Sequence, residues 1–155
     1  SYNFGAGNAE RVKGAFKMLL EVRLFYSCLL WLFVMAFPGV FVSMFTSDSE
    51  LITFTVKALR IYIGVMFIFG IQMACQMTFN ALGKAVESII VAVMRKFVLL
   101  IPLIYIMPHI LQKNQTMSIY LAEPVADLLA VTFTAILFAI QFRKSLALMK
   151  KPEKV

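Results

Sequence analysis

IYIGVMFIFGIQMACQMTFNAL, residues 61–82, is long and apolar enough to cross a lipid bilayer as one helix. About 20 such residues span the hydrocarbon core. Residues 24–46 and 119–142 also qualify by length, and a fourth stretch at residues 88–111 is interrupted by Arg95 and Lys96. The sequence therefore predicts an all-α polytopic membrane protein with four transmembrane helices.

The composition supports a lipid environment. Of 155 residues, 61% are hydrophobic and 15% are charged, whereas soluble domains average about 45–50% apolar and about 25% charged residues. The formal charge of +7 does not indicate nucleic-acid binding, because the basic residues lie between apolar stretches and in the tail rather than on one compact domain. We therefore expect membrane lipid, and not nucleic acid, as a partner.

The distribution of basic residues predicts the topology. Of the fifteen Lys and Arg residues, twelve precede residue 24, lie between Lys84 and Lys96, or follow residue 142. The other three are Lys57, Arg60 and Lys113. The positive-inside rule therefore predicts a multi-pass protein of the cell membrane. Both ends are expected in the cytoplasm, with a basic tail at residues 143–155.

Two local patterns indicate helix starts. FGAGNAERV (residues 4–12) resembles a dinucleotide-binding turn, but such a site needs a preceding strand and a βαβ unit, which the sequence does not predict. Asn8 is instead expected to cap a helix. Ser47 to Glu50 fits a capping box, from which a helix is expected to run unbroken into residues 61–82. No catalytic constellation is found, so we do not expect an enzyme.

Three amide side chains share one face of the helix predicted at residues 61–82. Gln72, Gln76 and Asn80 are spaced i, i+4, i+8, and Gln72 lies near the middle of the stretch. Because an amide facing lipid is unfavourable, this face should contact protein or a water-filled cavity. Two interpretations stay open: hydrogen bonds between packed helices, or the lining of a pathway for substrate or ion.

The stretch at residues 119–142 carries two carboxylates, Glu123 and Asp127, four residues apart. Intramembrane carboxylates often mark ion or proton pathways, so both are candidates for such a site. The alternatives are a structural hydrogen-bonding role for Asp127 and an interfacial place for Glu123, beside Pro124 at the helix start. Arg95 is expected either to reach lipid phosphate from the interface or to gate a cavity.

Three segments resemble one transporter family. SYNFGAGNAERVKGAF (residues 1–16) resembles a loop-to-helix junction of the multidrug and toxic compound extrusion transporters. FNALGKAVESIIVAVMRKFVLLIPLIYIMP (residues 79–108) resembles their penultimate hairpin, and YLAEPVADLLA (residues 120–130) resembles the start of their last helix. Together the segments cover nearly the whole chain in the family's order.

The resemblance implies a twelve-helix carrier built of two six-helix lobes. Such carriers export organic cations and drugs in exchange for Na⁺ or H⁺, with no other cofactor. This chain would supply helices nine to twelve, part of the C-terminal lobe, and its partners would be the remaining helices of the parent transporter. The family often places a coupling carboxylate on the first helix of this lobe, which this chain lacks.

Some family members also carry an acidic residue on the helix that matches residues 61–82. This chain has Gln72, Gln76 and Asn80 there instead, so the coupling ion and its ligands stay open. Two alternatives also remain: a complete small four-helix transporter or channel, and a relative of the flippases that move lipid-linked substrates. The absence of an initiating Met favours a piece of a longer chain.

Overall fold

The computed structural model describes residues 1–149, in which every regular element is a helix. The α-helices are α1 (Tyr2–Gly5), α2 (Ala9–Ala36), α3 (Pro38–Ser43), α4 (Ser49–Tyr62), α5 (Phe69–Ala81), α6 (Ala85–Val93), α7 (Ile101–Ile110) and α8 (Gln115–Met149). Residues 143–149 of the predicted basic tail continue α8. The rest of that tail, residues 150–155, lies outside the described residues.

The helices provide three to four membrane spans. Helix α2, the continuous helix 85–110 and the helix 112–149 are each long and apolar enough to cross a bilayer, and α4 with α5 forms a fourth candidate bent by 43°. The predicted all-α polytopic membrane fold is therefore confirmed.

The opening loop caps α2, as predicted. The Asn8 side chain accepts a hydrogen bond from the Arg11 backbone N–H at 3.1 Å, and Gly7 supplies the left-handed turn before it, with φ of 68°. Helix α2 then runs for 28 residues, about 42 Å at 1.5 Å per residue. It begins well before the predicted span at residue 24 and ends at Ala36, because the chain restarts at Pro38 as a separate short helix.

The expected unbroken helix into residues 61–82 is wrong. Helix α4 ends at Tyr62, a 3₁₀ turn follows at Met66–Ile68, and α5 begins at Phe69. Gly64 lies in the break, where its low helix propensity favours an interruption. The indole N–H of Trp31 on α2 donates to the Gly64 carbonyl at 3.1 Å and so gives a partner to a carbonyl at the break.

The predicted capping box at the start of α4 is also wrong by one residue. Asp48 is the cap, and its carboxylate accepts hydrogen bonds from the backbone N–H groups of Glu50 at 2.9 Å and Leu51 at 3.3 Å. A charged acceptor makes stronger hydrogen bonds than a hydroxyl, which favours Asp48 over Ser47 as the cap.

Helix α5 lies between α2 and α8 and packs closely on both. At the α2 contact, a Cβ added to Gly70 would lie 2.7 Å from the Arg23 carbonyl oxygen, so only glycine allows this approach. At the α8 contact, the Phe79 ring meets the Phe138 ring edge to face, with centroids 5.3 Å apart. These two contacts fix α5 in the middle of the bundle.

Candidate functional site

The guanidinium of Arg95 binds both carboxylates of α8. Its Nε donates to Asp127 Oδ1 at 2.6 Å, and its Nη2 donates to Glu123 Oε1 at 2.9 Å. Glu123 also accepts a hydrogen bond from Lys96 Nζ at 3.4 Å. We call these four side chains the charged cluster. Their formal charges balance, which is what a low-dielectric environment requires.

The cluster lies deep in the membrane helices. Arg95 is about 4 Å from the midpoint of the helix 85–110, at 1.5 Å per residue. Its side chain is 16% exposed, and those of Glu123 and Asp127 are 9% and 7% exposed. The prediction that Arg95 reaches lipid phosphate is therefore wrong, because its guanidinium turns inward to two carboxylates.

Glu123 is not at a helix start. Helix α8 begins at Gln115, so Pro124 lies inside it, and Glu123 is buried. The interfacial alternative for Glu123 is therefore wrong. The i, i+4 spacing of Glu123 and Asp127 places both carboxylates on the face of α8 that meets Arg95, which explains how one guanidinium serves both.

Irregular backbone surrounds the charged cluster on two sides. Arg95 and Lys96 belong to a π-helical segment, Met94–Leu100, between α6 and α7. Phe69, the first residue of α5 after the break, lies under the Arg95 guanidinium, with the ring centroid 4.7 Å from Cζ. Tyr62 is the last residue of α4, on the other side of the break. π-helical segments occur frequently at functional sites, and carriers commonly place binding sites at broken helices.

The structure separates the three amides of α5. Gln72 is buried, Gln76 donates through Nε2 to the Ser88 carbonyl of α6 at 3.5 Å, and Asn80 is exposed near the end of the helix. Of the face that the three amides were predicted to share, the part with Gln72 and Gln76 therefore packs against other helices, and the part with Asn80 does not. Whether it also takes part in a substrate or ion pathway stays a prediction.

Two buried side-chain oxygens, one on α5 and one on α8, lack a hydrogen-bond partner in the described part of the chain. Within residues 1–149, Gln72 Oε1 and Thr134 Oγ1 have no hydrogen-bond partner. Gln72 lies between Phe69 and Phe79 on α5, and Thr134 lies between Asp127 and Phe138 on α8. Buried polar atoms are normally satisfied, so these two oxygens are exceptions within the described residues.

A second polar group lies at the predicted cytoplasmic end. Lys84 Nζ donates to Glu87 Oε1 at 3.0 Å and to Gln141 Oε1 at 3.2 Å. Lys84 therefore connects the start of α6 to the C-terminal half of α8.

Both carboxylates are predicted from the sequence, but their pairing with Arg95 and Lys96 is not. The available signal was charge matching: two acidic residues one turn apart in one apolar stretch, and Arg95 with Lys96 inside the preceding stretch. Opposite charges at similar depth in neighbouring spans are expected to pair. No sequence pattern distinguished Phe69 as part of the site, because aromatic residues are frequent throughout the chain.

Comparisons with known proteins give a family and a solved structure of similar fold. The sequence model of the family described as MatE matches residues 1–106. The fold is similar to that of the MATE multidrug transporter DinF-BH, with a TM-score of 0.83 and 30% sequence identity. That match covers 94% of this chain and 32% of the transporter chain, so this chain spans about a third of that transporter.

A comparison with curated proteins gave no significant match. The MatE match nevertheless covers more than half of the residues, and it includes the charged side chains Arg95 and Lys96. The chain therefore belongs to the MatE family, that of the multidrug and toxic compound extrusion transporters.

Proposed function

We propose that this chain is a C-terminal part of a cation-coupled multidrug efflux antiporter, in which Na⁺ or H⁺ drives the export of organic cations and drugs. The observation that carries the proposal is the fold match over 94% of this chain to a MATE multidrug transporter. The rest of the parent transporter would supply the other lobe and the missing helices of this one. The protein would act as a carrier and not as an enzyme.

The proposed topology has both ends in the cytoplasm of a multi-pass cell-membrane protein. Arg95 and Lys96 lie inside a spanning helix, so they no longer count as loop charges. Of the remaining thirteen basic residues, ten lie on the predicted cytoplasmic side, which supports this orientation by the positive-inside rule.

The proposed mechanism is alternating access, in which two lobes move around a central cavity. The break between α4 and α5 and the π-helical segment give this lobe irregular backbone near mid-membrane, where carriers place their sites. Gln72, Gln76, Asn80, Glu123 and Asp127 are the candidates for the substrate or ion pathway. In the state seen here Asp127 is bound to Arg95.

The test is ethidium efflux by the full-length parent in cells that lack their own pumps. We expect the parent to lower cellular ethidium, and we expect Asp127→Asn, Gln72→Ala and Gln76→Ala to reduce efflux at equal expression. Leu128→Ala, at an exposed position beside Asp127, is the matched control and should pump normally. A parent that exports no ethidium or related cation contradicts the proposal.

A further inference from the structure

The surroundings of the Arg95 guanidinium have the chemistry of an organic-cation site. Asp127 and Glu123 contact it at 2.6 and 2.9 Å, and the Phe69 ring lies under it at 4.7 Å. Carboxylates supply charge, and an aromatic face attracts cations within about 6 Å of its centroid. The two carboxylates and the ring already form a buried site. The guanidinium of Arg95, a cation of the chain itself, occupies it.

Arg95, the residue that occupies the site, lies in a backbone segment with an irregular helical conformation. Arg95 lies in the π-helical segment Met94–Leu100, and π-helix is a rare conformation next to α-helix. Conversion of this segment to α-helix would change the register by one residue. Because one residue turns a side chain by about 100° around a helix axis, Arg95 would move away from Asp127 and Glu123.

The site has an open side. The Lys96 side chain contacts Glu123 at 3.4 Å and is 49% exposed, so it forms the edge of the cluster. A ligand could therefore reach Phe69 and the two carboxylates from this side without unfolding the helices around them.

We propose that Glu123, Asp127 and Phe69 form a subsite for a monovalent organic cation, and that Arg95 is its resident cation, which the ligand displaces. The class of ligand rests on the proposed function. Exchange of one monovalent cation for another conserves the charge of the site. A bulky cation with delocalised charge is also more weakly hydrated than an ammonium group, which lowers the desolvation that binding requires.

The Phe69 ring favours an organic cation over an inorganic ion as the ligand of this site. Na⁺ and similar hard ions prefer oxygen ligands, and one guanidinium already occupies both carboxylates. A ring stacked on the occupant favours a flat or apolar cation. The competing interpretation is that Arg95, Asp127 and Glu123 form a purely structural ion pair, and the experiment below separates the two.

The test is binding of tetraphenylphosphonium to the purified full-length parent, measured by calorimetry without an ion gradient. Arg95→Gln removes the resident cation, so we expect at least roughly tenfold tighter binding than to the unmutated protein, an order of magnitude typical of a close charge pair. Asp127→Asn added to Arg95→Gln should abolish this gain, and Phe69→Leu added to Arg95→Gln should reduce it at least roughly threefold through loss of the cation–π contact. Phe97→Ala, on the exposed face of the same π-helical segment, should leave binding unchanged.

The proposal is overturned if folded Arg95→Gln binds tetraphenylphosphonium no more tightly than the unmutated protein. Should Arg95→Gln fail to fold, Glu123→Gln is added to restore the charge balance through Lys96 and Asp127. This double variant must then bind more tightly than Glu123→Gln alone. Because the assay needs no transport, a parent that fails to pump can still show the gain, and a parent that pumps without it contradicts only this inference.

Discussion

Arg95 Nε donates to Asp127 Oδ1 at 2.6 Å and so joins the π-helical segment of one span to the middle of the next. The same guanidinium reaches Glu123, one helical turn away on α8, at 2.9 Å. Arg95 and Lys96, which contacts Glu123 at 3.4 Å, together balance the charge of the two carboxylates. The contact also holds α8 and the helix 85–110 together at their midpoints.

Replacement of Arg95 by Leu should destabilise the parent transporter by about 3–5 kcal/mol, because a buried carboxylate then loses its partner. The measurement is chemical unfolding of the purified protein in detergent. The double variant Arg95→Leu/Asp127→Leu should recover most of the loss, since no isolated charge remains at that position. Equal stability of Arg95→Leu and the unmutated protein would show that the two groups do not pair.

Two glycines should respond to substitution in opposite directions. A Cβ at Gly70 would meet the Arg23 carbonyl oxygen at 2.7 Å, whereas a Cβ at Gly14 of α2 would meet nothing within 4 Å. Gly70→Ala should therefore lower stability by about 1–3 kcal/mol through overpacking. Gly14→Ala should raise it by about 0.5–1 kcal/mol, as expected in a helix interior. Thermal unfolding of both variants tests the α2–α5 contact, and equal effects would contradict it.

Replacement of Trp31 by Phe should leave the Gly64 carbonyl at the helix break without its side-chain donor. The ring of Phe can keep the edge contact to Phe67, now 5.1 Å between centroids, so the variant isolates the hydrogen bond. We expect a loss of about 0.5–1.5 kcal/mol, the net contribution of a typical hydrogen bond, because the Gly64 acceptor is only partly buried. Hydrogen exchange of residues 63–68 should quicken as well. Unchanged exchange there would show that Trp31 does not support the break.

The orientation can be tested by labelling single cysteines in intact cells. Cys28→Ser and Cys75→Ala remove the two thiols of this chain, any cysteines elsewhere in the parent are replaced as well, and a membrane-impermeant maleimide then probes exposed positions. Lys113→Cys, in the turn before α8, should be labelled from outside. Lys144→Cys, near the other end of α8, should be labelled only after the cells are opened. The reverse pattern would contradict the cytoplasmic placement of both ends.

Some local features of the fold, but not all of them, follow from neighbouring residues in the sequence. Asn8 caps α2 as predicted, because its side chain reaches a backbone N–H three residues away. The cap of α4 was predicted one residue too early, since the Asp48 carboxylate takes the place expected for Ser47. The break near Gly64 was missed, although a glycine between β-branched neighbours, Ile63 and Val65, is a weak helix signal.

The site could be predicted only in part, because its key contact joins residues 32 positions apart. The i, i+4 spacing of Glu123 and Asp127 showed that their carboxylates share a helix face. It could not show which residue that face meets, since this depends on how α8 packs against the π-helical segment. The same limit applies to Gln72, whose neighbours are set by the packing of α5 on α8.

Ion-coupled transport in reconstituted vesicles tests the central claim most directly. The full-length parent is placed in proteoliposomes, and ethidium movement is followed while a Na⁺ or H⁺ gradient is imposed and then collapsed with an ionophore. We predict that ethidium moves against its own gradient with one of the two ion gradients, and that this movement stops when the gradient is collapsed. Ethidium movement that is absent, or identical with and without each gradient, would contradict a cation-coupled multidrug antiporter.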